Sequence, residues 1–594
     1  NAGGTANLYY GSFTVDANLT ISGSELEPSG ITNDITVIEG VIVQSGGTLT
    51  SYLDVPASNG NHSFGFVEIQ SGGTLDASNE ITYINSETSG HFAFNCDGTY
   101  THNNGELQFT LENTGSTTYA DIVCGDGGTV YDLVLNDTSG TNTLYIASGN
   151  THTISNDLII ENGEFNIDSV NYDIDVKGDV KVNANGIFGT TSGEPSSKNW
   201  TFGTLLIETG GQFESTNDSL NITASSGTCW DNNGTFTSNG GTVEFGGACD
   251  VYTRGTGTGQ DFSNISFTGG SVYLYSNALD VDNDMLLNTG TLETEGQAVT
   301  VGGRADIVSG TFTGTSGATT LGSLAVSSGA TYQTTSAVTT ITASSGTCWD
   351  NNGTISLDSG PVIFSGGCNI NTGGTAEAND FNDLNFTGGT STLVSNNLNV
   401  LGGMDVYGGS LDANGQAINV LGTVFIDDNT LTGGTADHSF GVLYILSGGI
   451  YSATTGVTEI NSSNVYNQVI LLSSTGLITP NTGTFKIVSP GIEREIAPST
   501  TGINFYNLDV NTTDLVVDTS GTPYLNIAND LNVTSGIFNT SYDDVYLNVT
   551  GDTIIANGAT FIGYTYDQWF GSLTIESGGT YEASSATTTI TSET

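Results

Sequence analysis

Six cysteines carry the spacing with the clearest chemical meaning: they fall as 96/124, 229/249 and 348/368, gaps of 28, 20 and 20 residues. If the chain advances one coil per about 20 residues, each of the last two pairs sits on adjacent rungs about 4.8 Å apart. That lies inside the Cα window that a disulfide requires. Cys96 and Cys124 need the same contact plus a short extra loop. The expectation is three rung-to-rung disulfides, Cys96–Cys124, Cys229–Cys249 and Cys348–Cys368, formed in an oxidising extracellular compartment. The competing reading is six buried free thiols behaving as small apolar residues. Zinc is disfavoured, because there is no Cys-x-x-Cys and the five histidines are scattered.

Carboxylates come next. Asp280, Asp282 and Asp284 alternate along the chain and would share an outer face; Asp427-Asp428 and Asp543-Asp544 are further pairs. A glycoside hydrolase needs two carboxylates flanking a glycosidic bond, but with 62 acidic residues such pairs arise by chance and read as solvated turn residues. Calcium prefers clustered carboxylates and turn carbonyls, and Asp280, Asp282 and Asp284 are the best local group for it. The related stretch Asn399-Val-Leu-Gly-Gly403 lacks those carboxylates, so calcium would belong to one repeat only. A lyase acting on acidic polysaccharide would need a basic groove, whereas Arg254, Arg304 and Arg494 are far apart in sequence. His62, His91, His102, His152 and His438 show no metal spacing, and most read as solvated turn residues. Gly255-Thr-Gly-Thr-Gly259 has no following apolar helix and reads as a turn rather than a nucleotide loop. No catalytic residue and no cofactor other than calcium is expected. Trp230 and Trp349 each follow a Cys, and Trp200 and Trp569 precede Phe-Gly. They could form an exposed file that stacks on sugars, or pack beside a disulfide or under a corner.

The charge balance narrows the partners. Seven Lys and Arg against 62 Asp and Glu give a net charge of −55, which argues against phosphate neutralisation on nucleic acid and against docking on anionic lipid. No apolar run is long enough to cross a membrane as a helix. Ser and Thr number 149 and Gly 82, yet 36% of residues are hydrophobic, enough for a core. Fifteen Asn-x-Ser/Thr sequons occur, about the number expected by chance; those at Asn233 and Asn352 fall in turns where a glycan would be tolerated. The start at Asn1, without a charged and apolar leader, is read as that of a processed, secreted protein.

The elements that must position these residues are short alternating runs ended by Gly-Gly, Ser-Gly or Asn-Gly, such as Phe66-Val-Glu-Ile-Gln-Ser-Gly-Gly-Thr-Leu75 and Leu573-Thr-Ile-Glu-Ser-Gly-Gly-Thr-Tyr581. Period two predicts strands and the glycines predict turns; helix should be nearly absent. A longer repeat is marked by an apolar-Gly-x-Leu/Val phrase whose Gly falls at 65, 203, 322, 441 and 571. Ser225-Ser-Gly-Thr-Cys-Trp-Asp-Asn-Asn-Gly-Thr235 recurs unchanged from Ser344 to Thr354, which indicates internal duplication. The repeats divide the chain into residues 1–62 (partial), 63–200, 201–319, 320–438, 439–568 and 569–594 (partial). Each super-repeat splits into phrases of about 20 residues, the size of one coil of a parallel β-helix, in which stacking buries what one coil cannot. An all-β, long right-handed parallel β-helix (β-solenoid) is therefore preferred over a series of antiparallel sandwiches, with handedness from the crossover rule. Ile69, Leu75, Ile207, Phe213, Val326, Ile445, Ile575 and Tyr581 are the expected core positions.

The Leu-x-Ile-x-Ser-Gly-Gly-Thr phrases resemble the coils of right-handed β-helix surface proteins: filamentous-haemagglutinin-type adhesins, autotransporter passengers and archaeal surface-filament proteins of the hamus type. The resemblance covers nearly the whole chain but rests on coil-building motifs, so it transfers no functional residue. It implies a structural subunit of an extracellular filament, appendage or coat, with surface glycans as possible partners. A monomeric adhesin or a polysaccharide-processing enzyme is the alternative. The two ends match complementary fragments of one repeat and show no capping element, which predicts head-to-tail self-assembly by edge pairing; a cut piece of a longer protein is the competing reading.

Overall fold

The computed structural model describes residues 5–8, 11–28, 34–50, 60–85, 92–111, 117–125, 128–139, 142–146, 151–167, 173–189, 198–253, 261–373, 380–462, 468–498, 502–518, 524–540, 545–563 and 565–591. Among them every regular element is a strand. The chain divides into two units, Asn1–Gln297 and Ala298–Thr594, and each is a parallel β-solenoid.

In the first unit Leu49 pairs with Leu75 and Leu75 with Tyr100, and Val43 pairs with Ile69 and Ile69 with Cys96, always in parallel. In the second unit Val420 pairs with Phe440 and Phe440 with Ile460. The turn is about 22 residues, slightly longer than the expected 20. The excess lies in corners and loops, since short steps such as Thr319 to Thr339 still span 20 residues. Several strands are much longer than the short runs suggested by the sequence: Asp173–Gly189 has 17 residues and Thr484–Ala497 has 14. Each bends past a register shift, so two sides of a coil form one continuous strand.

Alternation decides what is inside. Strand after strand shows the buried–half-buried–buried pattern, as in Val41–Val43, Val67–Ile69 and Ile418–Val420. Ile69, Leu75, Ile207, Phe213, Val326 and Ile445 are buried as expected. Ile575 is 47% exposed and Tyr581 only half-buried, contrary to expectation. They belong to the last described rungs, where an inward position has fewer rungs against it.

The Ser-Gly-Gly phrase has a two-part cause. Its first Gly takes a left-handed backbone, with φ of 76° at Gly46, 79° at Gly72 and 76° at Gly448. Its second Gly lies against the rung before: a Cβ on Gly47 would stand 2.4 Å from the Ile21 carbonyl oxygen, and one on Gly449 2.2 Å from that of Ile426. The sequence marks the corner twice because the backbone needs glycine there for two reasons.

Candidate functional site

The cysteines pair as the spacing predicts. Cα–Cα distances are 4.6 Å for Cys96–Cys124, 5.6 Å for Cys229–Cys249 and 5.8 Å for Cys348–Cys368. Cys229 lies at a bulge. Thr228 pairs with Asp250 but Trp230 pairs with Val251, so Cys229 is the extra residue of the strand Thr228–Asn232. The same shift recurs between Thr347 and Trp349. The bulge turns two successive residues inward, and both Cys and Trp are buried in each copy. Trp230 packs on Phe236 and Phe262 at 4.8 and 5.0 Å, and Trp349 on Phe381 at 5.0 Å. Trp200 is buried against Phe188 at 5.2 Å. Three of the four tryptophans are thus core residues and form no exposed file; Trp569 alone is partly at the surface.

A polar corner escapes the sequence reading altogether. The residue three before each repeat-marking glycine, namely His62, Trp200, Thr319, His438 or Gln568, is buried. In four of these rungs it pairs with a Thr of the next: Thr82, Thr339, Thr458 and Thr588. Inner tyrosines complete the corner, with Tyr451 Oη 2.9 Å from Thr458 Oγ1 and Tyr581 Oη donating to Gln568 Oε1 at 2.8 Å. Burial pushes the Tyr332 hydroxyl up to about 12. His62 and His438 are therefore not turn residues. Nδ1 of His62 accepts the Ile35 N–H at 3.1 Å, Nδ1 of His438 accepts the Ile418 N–H at 3.0 Å, and Nε2 of His438 donates to the Gly433 carbonyl. His152 is buried too, and burial drops it to about 4. His102 is half-buried and stacks on Tyr131, and His91 lies outside the described residues. These inward positions were hidden because polar residues beside Ser and Gly look like turn residues.

The acidic candidates are not drawn together. Asp280 is on the strand Leu279–Val281, while Asp282 and Asp284 are exposed in the turn that follows. Among the described residues no group of three or more His, Cys, Asp or Glu converges on a point where a metal would sit, so these three do not form the expected cluster. Asp427 ends the strand Ile418–Asp427 and Asp428 follows it in the bend, at φ 57°; Asp543 and Asp544 lie outside the described residues. The acids that the structure singles out are Asp261 and Asp380, each immediately before one of two similar stretches, Phe262-Ser-Asn-Ile-Ser-Phe-Thr-Gly-Gly270 and Phe381-Asn-Asp-Leu-Asn-Phe-Thr-Gly-Gly389. Asp380 Oδ2 accepts the Asn399 N–H at 2.8 Å and its amide at 3.1 Å. Burial nevertheless pushes Asp380 up to about 6 and Asp261 up to about 7. An acid at the same place in both copies was the available signal.

The chain matches no known protein family and no curated protein. What the outer surface offers must be read from its own residues. Asn233 and Asn352 lie in turns after the two Cys-Trp strands, each amide donating to the Asp two residues earlier, Asp231 at 2.8 Å and Asp350 at 2.9 Å. Asn352 is exposed and Asn233 half-buried. Of the cations, Lys177, Lys181, Arg304 and Lys486 pair with Asp175, Glu208, Asp306 and Glu459. Arg494 is buried and donates to the Ser462 carbonyl, and Arg254 lies outside the described residues. Aromatic side chains also stack from rung to rung on outward positions, as in Tyr119–Tyr145 at 5.4 Å and Tyr524–Tyr546 at 5.1 Å.

Proposed function

We propose that this chain is a structural, non-enzymatic solenoid displayed outside the cytoplasm, whose copies associate end to end in the manner of the surface filaments and adhesins it resembles. The observation that carries the reading is where the repeated residues go. The duplicated Cys-Trp phrase, the Gly-Gly corners and the marker glycines all serve rung closure and rung stacking. Three disulfides each tie rungs together, which suits an oxidising compartment, and no helix among the described residues is long and apolar enough to cross a membrane. Association is supported by shared rung chemistry: both units present parallel strands of the same kind, so a rung edge of one copy is a fitting partner for that of another. A glycan on exposed Asn352 would suit such a surface.

The test is electron microscopy of native material combined with thiol trapping. Rods that lengthen with protein concentration and cysteines that resist alkylation until reduced are expected. Monodisperse particles of single-chain mass at every concentration would remove the assembly reading, and freely alkylated cysteines would remove the extracellular one.

A further inference from the structure

Tyr524 opens the strand Tyr524–Ile527 and is 51% exposed. On one side it pairs with Tyr546, ring centroids 5.1 Å apart and planes at 22°. Tyr546 is backed in turn by Tyr566, edge-on at 4.8 Å, and by Trp569 at 6.3 Å and 25°. On the other side the register Ile503↔Leu525 places Gly502 opposite Tyr524. Glycine is required there: its φ is 94°, and a Cβ would stand 2.2 Å from the Tyr524 carbonyl oxygen. Among the described residues the rung before Tyr524 therefore lays no side chain over its ring, and the 51% exposure of Tyr524 marks an open face at the end of an aromatic stack.

The fold does not demand these aromatics. Phe505↔Ile527 corresponds to the Phe381↔Val400 bridge of the preceding super-repeat, so Tyr524 stands where that repeat has Asn397. Following the registers onward, Tyr546 stands in place of Ala417, Tyr566 of Ala436 and Trp569 of Ser439. The corresponding coils close with Asn397, Ala417, Ala436 and Ser439, so closing the coil does not itself call for an aromatic at any of the four positions.

We infer that the open face of Tyr524, with Asn504 and Asn526 beside it, is a stacking site for a neutral pyranose of a glycan chain. The C–H face of a sugar ring packs on an aromatic face, and its hydroxyls take hydrogen bonds from amides. Asn504, Asn526 and Asn548 form a file in register next to the aromatic stack, with Asn526 Nδ2 donating to Asn504 Oδ1 at 3.1 Å. The file advances one rung, about 4.8 Å, per step, close to the length of one sugar unit, so an extended glycan can follow it. A net charge of −55 repels sulfated or phosphorylated chains. Among the described residues the side chains in register beside the open face are the amides of Asn504 and Asn526, which favours a neutral ring over a cation. Binding at Tyr524 does not require copies to associate, and the microscopy above is blind to it.

The full chain is titrated with neutral hexasaccharides of glucose, mannose and N-acetylglucosamine, alongside a sulfated hexasaccharide and tetramethylammonium. Calorimetry and saturation-transfer NMR follow binding. At least one neutral hexamer is expected to bind. Tyr524→Asn, which copies Asn397 and so keeps a residue the coil accepts, should weaken it about ten-fold, equivalent to roughly 1.4 kcal/mol. Tyr524→Phe should bind like the parent, and Asn504→Ala, at an exposed position with no core role, should weaken binding several-fold. The site is disproved if no neutral hexamer binds, if Tyr524→Asn and Asn504→Ala both bind like the parent, or if the sulfated chain or tetramethylammonium is preferred.

Discussion

At the scale of the residue, Asp380 shows burial winning over hydrogen bonding. Two bonds from Asn399 favour its charged form, yet loss of water raises the folded pKa to about 6 from an ordinary 3.8. The folded state then binds the proton more tightly than the unfolded chain. Its stabilising contribution is complete below the unfolded value and is lost as pH rises through about 6. Asp380→Asn keeps an acceptor for the Asn399 N–H. It is expected to melt like the parent near pH 4 but to be about 2 kcal/mol more stable at pH 8; parallel melting curves across that range would refute the assignment. Buried His152 works in the opposite direction. His152 is lowered to about 4, so the unfolded chain takes the proton first, and stability is lost as pH falls from 6.5 towards 4. His152→Leu should lose less stability than the parent over that window, read from denaturant midpoints at pH 7 and 4.5. An equal loss in both would show that His152 does not titrate there.

At the scale of the element, each disulfide closes a turn within the stack. Cys348–Cys368 spans 20 residues, for which chain entropy gives about 3 kcal/mol. Replacing both cysteines by Ser should lower the urea midpoint in non-reducing buffer and shrink the further drop caused by reductant by the share of this one bridge among the three, with Cys229–Cys249 behaving alike. Equal midpoints with and without reductant in the parent would show that these bridges add nothing. Gly449→Ala tests the rung contact itself: the added Cβ meets the Ile426 carbonyl at 2.2 Å, backbone that has no rotamer to escape into. A loss of more than about 2 kcal/mol is expected, and a neutral effect would contradict the register. These elements were readable because alternation fixes the inward face and glycine has few reasons to recur at a corner. The disulfides followed once the spacing matched a coil. What stayed hidden depends on register between rungs. The bulge at Cys229 reveals itself only as two adjacent inward residues, His62 and His438 look like turn residues until the corner closes, and the open face of Tyr524 exists because Gly502 lies one rung away. The carboxylates at Asp280, Asp282 and Asp284 show the other limit: neighbours in sequence are not drawn into one cluster when a turn carries two of them into solvent.

At the scale of the whole molecule, the charge of −55 with only seven Lys and Arg sets a stability problem that the apolar core must overcome. Within a unit, rungs are about 4.8 Å apart, while the Debye length is about 30 Å at 0.01 M salt and about 3 Å at 1 M. At low salt a carboxylate therefore senses acids several rungs away on either side, and few cations intervene; the surface pairs such as Lys181–Glu208 are solvated and add little. Unfolding separates those charges, so low salt should favour it. The midpoint of thermal unfolding is expected to rise by several degrees between 10 mM and 0.5 M NaCl and to do the same with KCl, because screening does not distinguish the two cations. Calcium provides the contrast. If Asp280, Asp282 and Asp284 stay in solvent as placed, calcium at matched ionic strength should add only the generic effect of a divalent ion, which magnesium reproduces. A saturable rise with calcium alone, abolished by Asp282→Asn with Asp284→Asn, would show instead that binding draws the turn together. A midpoint that falls or stays constant as NaCl increases would mean that charge repulsion is not what limits the stability of these solenoids.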